Sequence, residues 1–265
     1  MNITAGISHI RRPGTTSPLV LLHGIGSDAE SWARMIEVMD PSIDVTAWNA
    51  PGYGDSEPLT NPLPTPEDYA TRLAEFLDAL GMKRVTLAGH SLGTLFAARF
   101  ALRYPERVSR LALLSPALGY AVPPGEVLPS NVQSRVDDLQ RLGATEFATT
   151  RAPKLVFRPE ANSDIVAGVR RAMSAIKMPG YGQAVRALGA GTLLTDASRI
   201  TIPTLVACGT QDIVTPPSNA QATYDAALTK HSLTLIPEAG HALPQQAPEA
   251  VARLLEGLVR EATDV

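Results

Sequence analysis

Short apolar runs separated by helix-patterned stretches constrain this chain more than any other feature. The runs are Leu19 to Leu22, Asp44 to Trp48, Arg84 to Ala88, Leu111 to Leu114, Thr204 to Cys208 and Ser232 to Ile236. Near-continuous apolar runs of this length are the mark of strands buried on both faces, and their alternation with helical segments predicts an α/β fold. The expected architecture is a mostly parallel, doubly wound sheet flanked by helices. Helix punctuation agrees with it. Thr65-Pro66 supplies an N-cap and a proline at the first helical position, leucines and Phe76 follow at helical spacing, and Gly81 ends the segment. Ser218 and Gln221 have the spacing of a capping box, and Pro248 opens a further helix.

Between about Ser115 and Ile200 the strand signal stops. Helix-like pieces, Ser130 to Leu142 and Asp164 to Ile176, lie between Pro/Gly breaks, and the strand pattern resumes at Ile202-Pro203. The expected division is therefore a core made of 1–115 and 200–265, with 116–199 inserted as a helical cap that shapes a pocket. A chain of 265 residues is long enough for one such core. With 45% hydrophobic and 18% charged residues and a net charge of −3, it has the balance of a soluble globular protein and no basic field for nucleic acid. No run approaches the ~18 consecutive apolar residues of a membrane span, and Met1 to Gly14 carries no apolar signal region. The expectation is a cytoplasmic enzyme acting on a small molecule, without nucleic-acid or membrane partners. Nothing in the sequence specifies an oligomeric state. Cys208, at the end of Leu205-Val206-Ala207-Cys208, reads as a buried, inert thiol.

The richest chemistry lies at Gly89-His90-Ser91-Leu92-Gly93, which joins a strand-like run to a helix-like one. In a strand–turn–helix elbow of this Gly-x-Ser-x-Gly form the serine sits on a sharp, strained turn that lifts its hydroxyl clear of the sheet. A serine needs a base, and the base needs a group to hold its tautomer. Asp212, in Gly209-Thr210-Gln211-Asp212, and His241, in Ala239-Gly240-His241, follow two later strands in the order serine, acid, histidine. Alone, each has a plainer reading, as a turn former or a solvated loop histidine. Together they fall at strand ends that a parallel sheet brings to one edge. His231 precedes its expected strand, and His90 reads as packing beside the turn. Two N–H groups are expected to meet a developing oxyanion: that of Leu92, just after the serine, and that of Ile25, in His23-Gly24-Ile25-Gly26 after the first apolar run. The glycines there do not form a dinucleotide fingerprint, because no third glycine follows at the required spacing. Pro51-Gly52-Tyr53-Gly54-Asp55-Ser56 reads as a rigid structural turn.

These motifs resemble the α/β-hydrolase family over nearly the whole chain from Leu19 onward. His23-Gly24 is similar to its oxyanion strand end, Pro51 to Ser56 to its Gly-x-Gly-x-Ser turn, Gly89 to Gly93 to its elbow, and Gly209 to Asp212 and Gly240-His241 to its acid and base positions. Within the family, Ile25 to Asp28 with Trp32, and Gly209 to Asp212 with Thr215-Pro216-Pro217, look most like 3-oxoadipate enol-lactonases and related small carboxylesterases. The resemblance implies cofactor-free hydrolysis of a carboxylic ester or lactone, and Gly24, Ile25, Trp32 and Tyr181 are the expected substrate contacts. A serine at 91 argues against the dehalogenase and epoxide-hydrolase activities of relatives that carry aspartate there. Carbon–carbon hydrolases of the meta-cleavage type, which share the triad, and hydrolase-fold receptors for small ligands stay open as alternatives. The N-terminal region is short beside the family pattern, so trimmed first strands are expected. In the cap, one of Arg135, Arg141, Arg151, Arg158, Arg170 and Arg171 is a candidate to clamp a substrate carboxylate, and Met173, Met178 and Tyr181 are candidates to line the pocket. No residue spacing matches a metal site.

Overall fold

A computed structural model describes residues 1–263 of the chain. Its strands are β1 (Asn2–Thr4), β2 (Ile7–Arg12), β3 (Leu19–Leu22), β4 (Val45–Trp48), β5 (Val85–His90), β6 (Val108–Leu114), β7 (Thr204–Gly209) and β8 (Lys230–Ile236). They form one sheet in the order β1-β2-β4-β3-β5-β6-β7-β8, antiparallel at β1, β2 and β4 and parallel from β4 to β8. The helices are α1 (Ala33–Val38), α2 (Pro66–Ala79), α3 (Leu92–Arg103), α4 (Ser130–Arg151), α5 (Ser163–Ser174), α6 (Gly180–Ala190), α7 (Leu193–Ala197), α8 (Pro217–Ala226), α9 (Leu243–Gln246) and α10 (Pro248–Thr263). None of them is long and apolar enough to cross a membrane.

The period of two along each strand sorts its side chains into two cores. Val20, Leu22, Leu87, Leu111, Leu113 and Val206 face one side, where α2 and α3 pack. Leu19, Leu21, Ala88, Ala112, Leu114 and Leu205 face the other, against α1 and α10. Helix α10 covers its face with Val251, Leu255, Leu258 and Val259, a stripe at i, i+4, i+7 and i+8. Burying one such leucine contributes about 1.5–3 kcal/mol. Helix α2 starts on a capping box, with the Thr65 N–H and hydroxyl both donating to Asp68 Oδ2, and Gly81 follows its end at φ +70°.

Three expectations about the elements need correction. The first strands are not trimmed: β1 and β2 pair antiparallel onto β4, and the Arg12 guanidinium donates to the carbonyls of Ile36, Met39, Asp40 and Ile43. Ser218 and Gln221 do not form a capping box, because Pro217 already occupies the first helical position and places Ser218 inside the first turn. His231 lies within β8 rather than before it, and bonds Glu261 at 2.9 Å through Nε2.

Between β6 and β7 the described backbone is entirely helix and loop. This insertion is anchored to the rest by polar contacts. Arg171 of α5 donates both terminal nitrogens to Asp28, at 2.9 and 3.2 Å, and Arg34 pairs with Asp164. Gln183 of α6 donates to the carbonyls of Leu59 at 2.7 Å and Asn61 at 3.0 Å.

The connections diverge at one place. After β3 the chain goes to β4 on one side, and after β4 it returns to β5 on the other. The loops leaving the carboxyl ends of β3 and β5 therefore part from each other and leave a crevice, the place where open α/β sheets bind ligands.

Candidate active site

Residues from four separate strand ends meet in that crevice. Ser91 follows β5 with φ +51° and ψ −117°, a conformation that a residue with a Cβ adopts only when its surroundings enforce it. The enforcement is visible in close backbone packing. A Cβ on Gly89 would stand 2.3 Å from the Gly93 carbonyl oxygen, and one on Gly93 would stand 2.3 Å from that of Leu22. Glycine at both places lets β5 turn straight into α3 against β3. The Ser91 N–H donates to the Leu114 carbonyl at 2.9 Å, which ties the turn to β6.

The Ser91 hydroxyl lies 3.0 Å from His241 Nε2, and His241 Nδ1 lies 2.9 Å from Asp212 Oδ2. All three side chains are buried. Burial opposes ionisation of Asp212, but the facing His241 and the Thr215 and Val214 N–H groups outweigh it and hold the carboxyl well below the usual range. An ionised carboxylate only accepts, so His241 carries its proton on Nδ1 and offers the Nε2 lone pair to the Ser91 hydroxyl. Val214 and Thr215 N–H each donate to Asp212 Oδ1 at 2.9 Å, fixing the carboxylate plane.

The two residues expected to supply oxyanion donors, Ile25 and Leu92, line the same cavity as Ser91. Leu92 opens α3, so its N–H is one of the four that a helix leaves without an internal partner. The Ile25 N–H donates to no loop, turn or side-chain acceptor among the described residues. The segment carrying it is held from behind. His23 donates from Nδ1 to the Gly24 carbonyl at 2.8 Å and accepts from the Ala50 N–H at 3.0 Å through Nε2. Burial lowers the pKa of His23, consistent with the neutral ring this pattern requires. The Gly26 N–H donates to the Tyr53 hydroxyl at 3.3 Å. The turn from Pro51 to Ser56 is structural, and Tyr53 extends its role to bracing the segment from Gly24 to Gly26.

A cavity of about 420 Å³ opens on Ser91 and His241. Ile25, Leu92, Met173 and Tyr181 line it, whereas Met178 is solvent-exposed and lies outside its walls. Gly24 borders a separate void of about 30 Å³ behind His241. Trp32 contradicts the expected substrate contact. It is fully buried on the opposite core with Leu19, Leu21 and Met35, its ring edge-on to His90, because the 3-10 turn carrying it packs inward against the sheet. His90 is not a base for Ser91. It donates from Nε2 to the His241 carbonyl at 2.8 Å, and burial and the neighbouring His241 push its pKa down to about 3.

Thr215 belongs to the site, whereas the sequence marks it only as part of the Thr215-Pro216-Pro217 likeness and not as a site residue. Its hydroxyl stands 3.0 Å from Asp212 Oδ2, 3.1 Å from His241 Nδ1 and 2.9 Å from the Ser115 carbonyl. The signal available was the spacing, since a threonine three residues after an aspartate closes a short turn back onto it. Cys208 is buried 3.8 Å from Asp212 Oδ2, and burial and that carboxylate push its thiol up to about 12, so it stays protonated. Among the described residues no cluster of three or more His, Cys, Asp or Glu side chains is placed to hold a metal ion.

Known proteins share this arrangement of chain. Residues 17–248 match the model of a family described as the alpha/beta hydrolase fold. The (E)-2-((N-methylformamido)methylene)succinate hydrolase of Acinetobacter baylyi is 30% identical over 257 residues, covering 94% of this chain and 92% of that protein. The 3-oxoadipate enol-lactonase 2 of the same species is 25% identical, covering 91% of this chain and 88% of that protein. Among solved structures, the enol-lactonase of Burkholderia xenovorans superposes with a TM-score of 0.86 at 22% identity, covering 97% of this chain and 98% of that one.

Proposed function

This chain belongs to the alpha/beta hydrolase fold family and is a hydrolase, and on that premise we propose that it cleaves a carboxylic ester or lactone of a small molecule through an acyl-enzyme on Ser91. The observation that carries this reading is the unbroken line of hydrogen bonds from the Ser91 hydroxyl through His241 to Asp212, which opens on a cavity that Ile25 and Leu92 also line.

The steps follow from the positions of the protons. Ser91 Oγ attacks the substrate carbonyl carbon while His241 Nε2 takes its proton, and Asp212 stabilises the resulting imidazolium through Nδ1–H. Negative charge moves to the carbonyl oxygen, where the Ile25 and Leu92 N–H groups stabilise it. Collapse of this intermediate expels the alcohol oxygen, which receives the proton from His241 Nε2. In a lactone the leaving hydroxyl stays attached to the acyl group. Water then gives a proton to His241 and attacks the ester on Ser91, and the returned proton frees the serine and a carboxylic acid. No cofactor enters the sequence of steps. Met173, Tyr181 and the rest of the helical insertion roof the cavity and set its size.

Steady-state turnover of a panel of p-nitrophenyl esters, lactones and enol-lactones tests the proposal. Wild type should turn over at least one ester or lactone many times per chain, and Ser91→Ala should lose that activity by about 10⁴-fold or more. Equal turnover by the variant would remove Ser91 from the chemistry.

A further inference from the structure

The larger cavity carries a charge pattern that the fold does not require. Arg135 and Arg151 of α4 and Lys154 just beyond it line the wall, and among the described residues no aspartate or glutamate does. Two of the three cations have an evident setting. Arg151 bonds Asp138 at 2.9 Å and lies over the Phe147 ring at 4.6 Å, and Lys154 is solvent-exposed. Arg135 differs from both. It is half-buried, it has no ion pair among the described residues, and its Nε is buried without a hydrogen-bond partner. Its neutral neighbour is the Tyr181 hydroxyl, whose pKa burial raises while Arg135, within hydrogen-bonding reach, and Arg151 act against that rise. A guanidinium partly withdrawn from water without a counter-ion is unfavourable, and an anion arriving in the cavity would relieve that cost. Ser91 and His241 open onto the same space.

We infer that the substrate carries a carboxylate in addition to the bond that is cleaved, and that Arg135 fixes it while Arg151 and Lys154 add to the positive field. The inference rests on Ser91 hydrolysis as proposed above. A guanidinium is suited to the task because its fork of N–H donors matches the two carboxylate oxygens, whereas a lysine presents a single point of charge. The apolar part of the wall, Leu118, Phe147 and Leu188, leaves the remainder of the ligand to hydrocarbon. The reaction product would be a dicarboxylate or a hydroxy or oxo acid with two acidic ends.

The test compares mono-p-nitrophenyl glutarate with its methyl-capped diester, which has the same skeleton without the charge. In wild type the charged ester should have the higher kcat/KM, by roughly tenfold to a hundredfold, the scale of one charge-assisted hydrogen bond. Arg135→Gln should bring the ratio close to one, chiefly through KM, and Arg135→Lys should give an intermediate ratio. The ratio between substrates cancels any general loss of activity in the variants. Arg170→Gln, at an exposed position away from the cavity wall, should keep the wild-type ratio. Glutarate binding to Ser91→Ala, followed by calorimetry with and without Arg135→Gln, gives a readout independent of turnover. Equal rates on both esters, with glutarate binding indifferent to Arg135, would overturn the carboxylate site and leave Ser91 chemistry standing. Absence of turnover on either ester, with glutarate binding that depends on Arg135, would overturn the hydrolytic reading and keep the anion site.

Discussion

Thr215 reaches Asp212, His241 and the Ser115 carbonyl with one hydroxyl, so its removal should loosen the acid and the base together. Thr215→Val should lower kcat by about tenfold to a hundredfold, the cost of a lost hydrogen bond to a charged group, and Thr215→Ser should restore most of it; steady-state kinetics on one ester decides. His90 gives a second expectation, through pH. Its folded pKa of about 3 lies below the ordinary histidine value near 6.5, so the unfolded chain binds the proton first. Stability from the neutral ring is complete above about pH 6.5 and declines as pH falls toward about 3. His9 and His23 are lowered as well and act in the same direction. Urea unfolding of wild type should weaken steadily below about pH 6.5, by up to about 1.4 kcal/mol per pH unit for each such histidine. In His90→Gln the slope should be shallower, and an unchanged slope would contradict the buried neutral ring. At this scale the sequence exposed Ser91, Asp212 and His241 because each follows a strand in a recognisable turn. Thr215 was hidden because its role depends on where a turn folds back. Trp32 misled because a large aromatic ring reads alike whether it lines a pocket or fills a core.

The elbow is the element on which the site depends most. A Cβ at position 93 would meet the Leu22 carbonyl oxygen at 2.3 Å, and that oxygen belongs to β3 rather than to a side chain that can rotate away. Gly93→Ala should therefore destabilise the fold by about 1–3 kcal/mol, the range for overpacking, and a lowered denaturation midpoint would show it. A midpoint equal to wild type would mean that β3 and α3 can separate at no cost. The parallel strands were legible because they are buried on both sides and their residues are apolar with little interruption. β2 was not, since Ile7-Ser8-His9-Ile10-Arg11-Arg12 is polar at most positions and is secured by backbone pairing and the Arg12 contacts. Helix α6 was also missed. Gly180, Gly182 and Gly189 punctuate it like a loop, yet Gly180 is the residue that permits close contact with Gly52.

At the scale of the whole molecule, the sheet order does what no single segment can. Ser91, Asp212 and His241 span 150 positions of sequence and meet because β5, β7 and β8 run parallel and end at the same edge. The reversal of winding between β3 and β5 opens the crevice beside them. The alternation of apolar runs and helices made this architecture readable in advance, and the order of serine, acid and histidine made the meeting point readable too. Met173 and Tyr181 in the cavity wall were readable, but its charges were not, because α4 to α6 pack by shape, and their arginines look alike until Asp138 is seen to pair with one of those that line the cavity and, among the described residues, no acid with Arg135. Labelling with a fluorophosphonate, followed by intact mass and peptide mapping, tests the convergence most directly. One adduct per chain on Ser91, absent in Ser91→Ala and strongly slowed in His241→Ala, is the predicted result. A wild-type chain that takes up no label, or takes it up equally when Ser91 is replaced, would contradict a nucleophile assembled at this edge of the sheet.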